Sequence, residues 1–310
     1  PAEWLHSYVI TRITNLSEVF IMELGLKGKR VAVIGLGVSN IPLIDYLYEL
    51  DARVSVFDER DEEKINIDII EKIKRYSFDL YTGKNALHFL RGFNIIFRSP
   101  SCLPTTLQLK SEQKRGAIIT SEIEMLINVC PCKVIGVTGS DGKTTTTTLI
   151  YEILKAGGYT CHLGGNIGIP LFTKAKEFNE NDIVVLELSS FQLMGMEISP
   201  DISVITNISP NHLDKHSSYE EYIDAKKTIF EYQDKDCKLV LNYDNEITRE
   251  LAKEAPAKVE FFSRKEKLED GVIYDKGTIK ECEEGVRKHI LDLENVHLKG
   301  AHNYENICAA

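Results

Sequence analysis

The sequence has no apolar run long enough to span a membrane and no excess of basic residues. A membrane-spanning helix needs about 20 consecutive, mostly apolar residues, and no stretch of this chain approaches that length. Aspartate and glutamate together number 47 against 37 lysines and arginines, which gives a formal net charge of −10. This balance argues against a general nucleic-acid or membrane surface, so local features have to hold any anionic ligand.

The cysteines predict neither a disulfide framework nor a zinc site. There are seven, an odd number, scattered at positions 102, 130, 132, 161, 237, 282 and 308. Cys130 and Cys132 are too close in sequence for the usual zinc-binding pair, and the sequence offers no second pair to accompany them. We therefore expect reduced thiols and a cytoplasmic protein.

Alternating strand and helix patterns predict an α/β protein, and 310 residues are enough for two domains. We predict a Rossmann-like domain over residues 22–120 and a phosphate-loop domain with a parallel sheet over 121–310. Within the latter, residues 261–298 are predicted to form a small peripheral β element. We expect residues 1–21 to be an extension. Because the chain stops inside a segment with helical spacing, we also expect a further carboxy-terminal domain.

The first domain opens with a βαβ pattern. An apolar strand at 30–34 is followed by the loop Gly35–Asn40, by a helical segment, and by a strand that leads to Asp58. This order is typical of dinucleotide-binding folds, but Asn40 replaces the third glycine of their fingerprint. NAD binding stays open as an alternative, and another nucleotide is favoured. Ser99 follows a further strand and is predicted to lie at the same edge of the sheet.

The segment 134–149, VIGVTGSDGKTTTTTL, indicates a phosphate-binding loop. A β-branched run ends in a loop from Gly139 to Gly142, and a helical pattern follows. Loop N–H groups and a helix N-terminus face anions in such a corner. Lys143 would reach the terminal phosphates, and the Thr144 hydroxyl would bind Mg²⁺. Val137 occupies the position of the first P-loop glycine, so the pattern is a narrower variant; an ordinary strand–turn–helix corner is the alternative.

Four more segments carry candidate functional residues. Glu187 ends an apolar strand, where it could hold Mg²⁺ or pair with a buried cation. Asn166 lies among three glycines, in a substrate-binding loop or a simple turn. His212 follows another strand and is a candidate metal ligand, although a lone histidine is more often a surface or core residue. Lys226 is predicted at the edge of the apolar face of a helix, where a solvated lysine is the alternative.

The last segment, LKGAHNYEN, opens a helix that carries two asparagines. Asn303 and Asn306 are three residues apart and therefore lie on one helical face. Their amides could recognise the edge of a base such as adenine. Capping of the helix is the alternative for Asn303.

These motifs together resemble the Mur ligase family, the ATP-dependent amino-acid-adding enzymes of peptidoglycan synthesis. The resemblance covers residues 22–310, and its motifs TGSDGKTTT, GGNIGIP, LELSSFQL, NISPNHLDKH…YIDAKKTIF and LKGAHNYEN occur in the family's order. The GGNIG and LELSSFQL stretches are most similar to the members that add D-glutamate to UDP-N-acetylmuramoyl-L-alanine. The resemblance implies that ATP phosphorylates the substrate carboxylate and that the amine of D-glutamate attacks the acyl phosphate.

The resemblance also implies roles for individual residues. Lys143, Lys226, His212 and Glu187 would be catalytic, with two Mg²⁺ ions held by Thr144, Glu187, His212 and a Lys226 carbamylated by CO₂. ATP would contact Gly139, Ser140, Asp141, Gly142, Lys143, Thr144, Thr145, Asn303 and Asn306. The UDP-linked substrate would contact Gly37, Val38, Ser39, Asp58, Arg60, Ser99, Asn166 and Ser189. The D-glutamate pocket would lie mainly in the further domain, and we expect a monomer.

Three positions depart from the family pattern. Asn211 precedes His212 where aspartate is common, Ser101 replaces a glycine after Ser99-Pro100, and Asp141 stands where asparagine is frequent in the phosphate loop. The alternatives are another Mur ligase, a folylpolyglutamate synthase-like ligase, a nucleotide-binding regulatory module without catalysis, and an NAD-dependent oxidoreductase.

Overall fold

The computed structural model describes residues 25–210 and 216–310, so the predicted extension at 1–21 lies outside the described residues. These ranges form two compact units. The first contains the described residues up to Pro131 together with Ile169–Phe178, and the second contains Cys132–Gly168 and Asn179–Ala310. Each unit is built on one sheet with helices, which confirms the predicted α/β class. Within the described ranges, no helix has both the length and the apolar character that crossing a membrane requires.

The first unit contains a five-stranded parallel sheet in the order β3-β2-β1-β4-β5. Its strands are β1 Arg30–Ile34, β2 Arg53–Asp58, β3 Asp79–Thr82, β4 Ile95–Arg98 and β5 Ile118–Thr120. Its helices are α1 Asn40–Glu49, α2 Ile67–Arg75, α3 Leu107–Lys114 and α4 Glu122–Val129. The strand order reverses between β1 and β4, and in doubly wound sheets a ligand binds at the carboxyl ends of the strands beside such a point.

Helix α4 belongs to the first unit. The Ser121 hydroxyl accepts from the Glu124 N–H at 3.1 Å and so caps the start of the helix. Glu122 is buried, and its carboxylate accepts from the backbone N–H of Phe172 at 3.0 Å. The predicted domain limits assign this helix to the second domain. The structure instead groups it with the first, because it packs on the 3₁₀ helix Phe172–Glu177 of the same unit.

The second unit contains a nine-stranded sheet in the order β14-β13-β12-β11-β10-β9-β6-β8-β7. Its strands are β6 Lys133–Thr138, β7 Cys161–Gly165, β8 Ile183–Glu187, β9 Ile202–Ile205, β10 Lys238–Asn242, β11 Lys258–Ser263, β12 Gly271–Asp275, β13 Thr278–Glu283 and β14 Val286–Asp292. Its helices are α5 Lys143–Ala156, α6 Ser190–Leu193, α7 Tyr219–Glu231, α8 Glu246–Leu251 and α9 Ala301–Ala309. Strands β12 to β14 run antiparallel to one another and extend one edge of the parallel sheet, so the predicted peripheral β element is continuous with it.

The core of the second unit lies beside the central strands. Val137, Val185 and Val204 come from the adjacent strands β6, β8 and β9, and each is at most 2% exposed. Because these strands are parallel, the residues that follow them meet at one edge of the sheet. That edge carries the phosphate loop after β6, Glu187 at the end of β8, and Thr206 after β9.

Candidate functional site

The phosphate loop connects β6 to α5, and glycine is required at both of its ends. Gly139 has φ of +152° and Gly142 has φ of +80°, values that residues with a side chain rarely adopt. A Cβ added at Gly139 would collide with the Thr206 hydroxyl, and one added at Gly142 would collide with the Asn306 amide oxygen. The loop therefore approaches its neighbours more closely than any other residue type would permit.

The backbone N–H groups of the loop fall into two sets. Those of Ser140 and Asp141 donate to the carbonyl and side-chain oxygens of Asn207 at 2.9 and 3.0 Å. The next N–H groups belong to the first turn of α5, where a helix supplies no internal acceptor. A helix start with this polarity attracts anions, so the start of α5 from Gly142 onwards is suited to phosphate binding. Thr145 lies in this turn.

Lys143 folds back over the loop. Its ammonium donates to the carbonyl oxygens of Gly139 and Ser140 at 3.0 and 2.8 Å. Burial lowers the pKa of Lys143, although the carboxylates of Glu187 and Asp141 act in the opposite direction. A partly buried ammonium at the helix start is well placed to neutralise the negative charge of phosphate groups.

Glu187 joins the phosphate loop to the asparagine predicted to bind substrate. Its side chain is buried at the end of β8. The Thr144 hydroxyl donates to one carboxylate oxygen at 2.6 Å, and the Asn166 amide donates to the other at 2.8 Å. The Asn166 backbone N–H also donates to the Glu187 carbonyl at 2.8 Å. The structure thus brings together three of the predicted site residues.

The donor set around Glu187 fits a hard cation. Carboxylate, hydroxyl and amide oxygens are the ligands that Mg²⁺ prefers, usually together with water and substrate phosphates. Among the described residues, no three His, Cys, Asp or Glu side chains cluster as a ready-made metal cage. A site of Thr144 and Glu187 completed by nucleotide phosphates and water is consistent with that finding. His212 lies outside the described residues.

Lys226 on α7 is 1% exposed, so the alternative of a solvated lysine does not hold. Its ammonium donates to the Gly139 carbonyl at 2.8 Å and to the Thr138 hydroxyl at 3.3 Å. It also lies 4.7 Å from the ring centroid of Tyr222. Burial, and then repulsion by Lys143, lower the pKa of Lys226 to about 7. A large share of this side chain is therefore a neutral amine near neutral pH.

Tyr222 of α7 also reaches the phosphate loop. Its hydroxyl lies 2.9 Å from the Ser140 hydroxyl, and Ser140 in turn donates to the Ser209 carbonyl at 2.9 Å. The sequence signal was the spacing of four residues between Tyr222 and Lys226, which places both on one face of α7.

Thr206 and Asn207 are two further loop contacts that sequence reasoning left without a role. The Thr206 hydroxyl donates to the Asp141 carbonyl at 2.6 Å, and the Asn207 amide donates to the same oxygen at 3.1 Å. Both residues directly follow β9, which pairs with β6 in the sheet. Polar residues just after an adjacent parallel strand were the available signal.

The two asparagines of α9 have different surroundings. Asn306 is 6% exposed, and its amide oxygen accepts from the Thr146 hydroxyl of α5 at 3.3 Å. The Asn303 amide instead donates to the Lys299 carbonyl at 2.8 Å, one turn earlier in the chain. Only Asn306 therefore contacts the helix that follows the phosphate loop; Asn303 makes the local contact expected of a residue near a helix start.

Ser189 caps α6. Its hydroxyl accepts from the Gln192 N–H at 3.3 Å and donates to the Gln192 side chain at 2.9 Å. The Gln192 side chain also accepts from the Ser189 N–H at 2.9 Å, which completes a capping box. This arrangement fixes the short helix immediately after Glu187.

The first unit presents a second polar loop. The Asp58 carboxylate accepts two side-chain bonds from Arg60, each at 2.8 Å, and one from the Leu36 N–H at 2.8 Å. Burial alone would raise the pKa of Asp58, but these hydrogen bonds hold it below its usual value. Asn40 donates to the Ile34 and Gly35 carbonyls at 3.0 and 2.9 Å, so it closes the loop in place of a glycine.

The remaining predicted substrate residues lie around this loop. A Cβ at Gly35 would be 2.7 Å from the Ser99 hydroxyl, which places Ser99 against the loop. The Ser99 hydroxyl lies 2.9 Å from that of Ser101. Gly37 and Val38 are exposed and Ser39 is half-buried, so these three form the open rim.

Two family models match the chain. One, described as the Mur ligase middle domain, covers residues 137–310. The other, described as the Mur ligase MurD-like N-terminal domain, covers residues 29–121. The chain belongs to the Mur ligase family. The family resemblance inferred from the sequence motifs is thereby confirmed.

Curated relatives agree with this assignment. The chain is 50% identical over 285 residues to the UDP-N-acetylmuramoylalanine–D-glutamate ligase of Clostridium kluyveri. It is 47% identical over 285 residues to the enzyme of the same name from Acetivibrio thermocellus. In both cases the match covers 92% of this chain and 61% of the relative, so the chain spans about three fifths of their length.

Solved structures show the same fold. The UDP-N-acetylmuramate:L-alanyl-gamma-D-glutamyl-meso-diaminopimelate ligase from Neisseria meningitides has a TM-score of 0.57 at 18% identity, with 91% of each chain covered. A murein peptide ligase from Psychrobacter arcticus has a TM-score of 0.50 at 15% identity, covering 91% of this chain and 64% of that one. At such low identity the likeness concerns the fold alone.

Proposed function

We propose that this chain supplies the UDP-substrate and ATP sites of a ligase that joins D-glutamate to UDP-N-acetylmuramoyl-L-alanine. The observation that carries the proposal is the cluster of Thr144, Asn166 and Glu187 beside the phosphate loop. The name of the relatives from Clostridium kluyveri and Acetivibrio thermocellus, which are 50% and 47% identical to the chain, supports the choice of substrates. In such a protein the whole activity would belong to the longer chain of which these sites are part.

The start of α5 would bind the phosphates of ATP. The N–H groups of its first turn and the Lys143 ammonium would hold the terminal phosphates of ATP. Thr144 and Glu187 would hold Mg²⁺, which when bound offsets the repulsion between a triphosphate and an attacking carboxylate. Asn166 fixes the Glu187 carboxylate through a hydrogen bond of 2.8 Å. Asn306 would contact the nucleotide next to Gly142, and Asn303 would lie beside it on α9.

Lys226 has the properties needed for carbamylation. Its pKa of about 7 makes the neutral amine available. That nitrogen would attack the carbon of CO₂, form an N–C bond and release one proton, which leaves a carbamate in place of a cation. The new anion would offset the positive charge of Lys143 and could hold a second Mg²⁺ together with His212. A lysine at a cation site is otherwise unfavourable, because like charges repel.

The proposed reaction has two steps. The L-alanyl carboxylate of the substrate attacks the γ-phosphorus of ATP, and ADP leaves. The D-glutamate amine then attacks the acyl phosphate carbon, an amide forms and inorganic phosphate leaves. This chain's residues position the reactants and stabilise charge through Lys143 and the start of α5. Exclusion of water protects the acyl phosphate from hydrolysis.

The first unit would bind the UDP portion of the substrate. The loop Gly35–Asn40, Asp58, Arg60 and Ser99 surround the switch point of its sheet, where such folds hold nucleotides. Gly37, Val38 and Ser39 would approach the diphosphate from the rim. D-glutamate would be held mainly by a further domain. We propose a cytoplasmic monomer, without a nucleic-acid or membrane partner.

Calorimetric titration with UDP-N-acetylmuramoyl-L-alanine and with Mg²⁺-ATP tests this assignment. We expect both ligands to bind, and Lys143→Ala to weaken ATP at least about tenfold while leaving the UDP ligand unaffected. UDP-linked acceptors of other Mur ligases and a folate substrate serve as controls. Preferential binding of one of those acceptors, or an affinity for Mg²⁺-ATP that Lys143→Ala leaves unchanged, would refute the proposal.

A further inference from the structure

We infer that His216 is a positioning residue for the proposed ATP site, where it ties the helix that follows Glu187 to the helix that carries Lys226. The inference rests on the proposed function and adds a residue to the support of that same site. His216 is 4% exposed and lies shortly before the start of α7. Its side chain contacts both α6 and α7.

On one side, His216 contacts α6, the short helix after Glu187. The His216 Nε2 lies 2.9 Å from the Ser190 hydroxyl oxygen. The His216 ring also stacks on the ring of Phe191, with centroids 4.5 Å apart and 13° between the planes. A helix of four residues has too few internal hydrogen bonds to hold its own position, so α6 depends on such contacts. Because α6 begins directly after Ser189, His216 helps to fix the path of the chain beyond Glu187.

On its other side, His216 contacts the first turns of α7. Its ring meets that of Tyr222 in a T-shaped arrangement, with centroids 5.2 Å apart and 72° between the planes. The Tyr222 hydroxyl lies 2.9 Å from the Ser140 hydroxyl in the phosphate loop, and the Lys226 ammonium lies over the Tyr222 ring. His216 therefore acts on the phosphate loop and on Lys226 through Tyr222.

The set of Ser190, His216 and Glu221 resembles the nucleophile, base and orienting acid of a hydrolase, but its burial fits a different role. Ser190 and His216 are each 4% exposed, so neither offers the surface that a reacting substrate needs. The His216 Nδ1 lies 3.5 Å from the Glu221 carboxylate, which is too long for a strong hydrogen bond. The arrangement holds two helices together and does not present a nucleophile.

The consequence concerns the affinity of the proposed site for Mg²⁺-ATP. That site takes Glu187 from the strand before α6 and Ser140 from the loop that Tyr222 contacts. A shift of α6 against α7 would move these groups relative to each other, and binding sites tolerate displacements of only about 0.5 Å. Loss of the hydrogen bond between His216 and Ser190 should therefore lower the ATP affinity of the folded protein about fivefold.

The test is calorimetric titration with Mg²⁺-ATP of wild type, Ser190→Ala, His216→Phe and the double variant. His216→Phe keeps a flat ring for the contacts with Phe191 and Tyr222 but removes the nitrogen that faces Ser190. We expect each single substitution to lower ATP affinity about fivefold. The double variant should lose no more than the larger single loss, because both substitutions remove the same hydrogen bond. Ser190→Ala is the smaller change and carries the test where His216→Phe does not fold.

Ser203→Ala is the matched control. Ser203 is buried, and its hydroxyl donates to the Ile229 carbonyl of α7 at 2.6 Å, so the substitution weakens the packing of the same helix without removing a contact to α6. A merely structural contact should lower the urea midpoint and leave the affinity of the folded protein unchanged. Ser203→Ala should accordingly unfold at lower urea but bind ATP within about twofold of wild type.

Three outcomes would overturn the inference alone. The first is that folded Ser190→Ala and His216→Phe both bind ATP within twofold of wild type. The second is a double variant whose loss of affinity equals the product of the two single losses, which would make the two residues independent. The third is an equal loss in Ser203→Ala, which would reduce the effect to general destabilisation. A wild-type chain that binds no ATP would instead contradict the proposed function, and the inference with it.

Discussion

Lys143 and Lys226 donate hydrogen bonds to the same carbonyl oxygen, that of Gly139, at 3.0 and 2.8 Å. Two ammonium groups on one acceptor repel each other, and Lys226 is the more deeply buried of the two. Burial lowers the pKa of both lysines, and burial together with repulsion by Lys143 lowers that of Lys226 to about 7. The loop proposed to bind a triphosphate thus also lies beside a lysine whose amine is partly neutral near pH 7.

This relationship predicts a dependence of stability on pH. The folded pKa of Lys226, about 7, lies below its ordinary value of 10.5, so between these values the unfolded chain binds more protons than the folded chain. Lys226 therefore increases the free energy of unfolding as pH rises above 7, by about 2 kcal/mol at pH 9. Urea unfolding of wild type and Lys226→Met at both pH values, without bicarbonate, measures the difference.

Lys227→Met is the control for that experiment. Its ammonium is paired with Glu254, which raises the pKa of Lys227, so this lysine stays charged in both states from pH 7 to 9. Its replacement should shift stability equally at the two pH values. A wild-type gain that persists in Lys226→Met would assign the pH dependence to another group.

Carbamylation predicts an isotope signal. Incubation with ¹³C-bicarbonate should give the wild-type chain a carbamate carbon resonance in NMR that Lys226→Ala lacks and Lys227→Ala retains. In a ligase assay, Lys226→Ala should lose activity and regain part of it when short carboxylates are added, because they replace the missing anion. Full activity of Lys226→Ala, or a resonance that survives the substitution, would rule out a modified Lys226.

The sequence predicted the parts of this site that depend on local patterns. The strand Arg30–Ile34 matches its predicted bounds, since it is a continuous run of apolar residues after Arg30 that ends at the glycine of the following loop. The phosphate loop followed from its glycines.

Long-range contacts could not be read from local patterns. Asn207 and Thr206 reach Asp141 because β9 lies next to β6 in the sheet, an order that no short motif encodes. The burial of Lys226 has the same origin. Helical spacing identified the apolar face of α7, but the depth at which Lys226 is buried depends on its contacts with Thr138 at the end of β6 and with Gly139 in the phosphate loop.

The Thr144–Glu187 contact predicts that the Thr144 hydroxyl contributes to the binding of Mg²⁺-ATP. Thr144→Val removes the donor to Glu187, now 2.6 Å away, while it preserves the branched shape of the side chain. ATP affinity in Mg²⁺ should fall about tenfold, because both a cation ligand and the orientation of the carboxylate are lost. Thr144→Ser, which keeps the hydroxyl, should stay within threefold of wild type. Calorimetry measures the ATP affinity of both variants. Equal losses of affinity in Thr144→Val and Thr144→Ser would indicate that Thr144 acts through packing and not through its hydroxyl.

Acid sensitivity of the first unit is predicted from Asp58. Hydrogen bonds from Arg60 and Leu36 hold its folded pKa below the ordinary value of 3.8, despite the opposing effect of burial. A carboxyl group with a lowered folded pKa contributes stability at pH values above its unfolded pKa, and this contribution is lost as pH falls through its folded pKa.

Asp58→Asn should therefore have a lower free energy of unfolding than wild type at pH 7, and the gap between the two should narrow below about pH 4. Denaturant unfolding at pH 7 and pH 3 measures the gap, and Glu63→Gln, at an exposed acid of the neighbouring 3₁₀ turn Glu62–Lys64, is the comparison. Because Arg60 also donates to the Leu36 carbonyl, the same substitution should loosen the loop and weaken UDP-substrate binding. A constant gap between the two pH values would contradict the role assigned to the Asp58 charge.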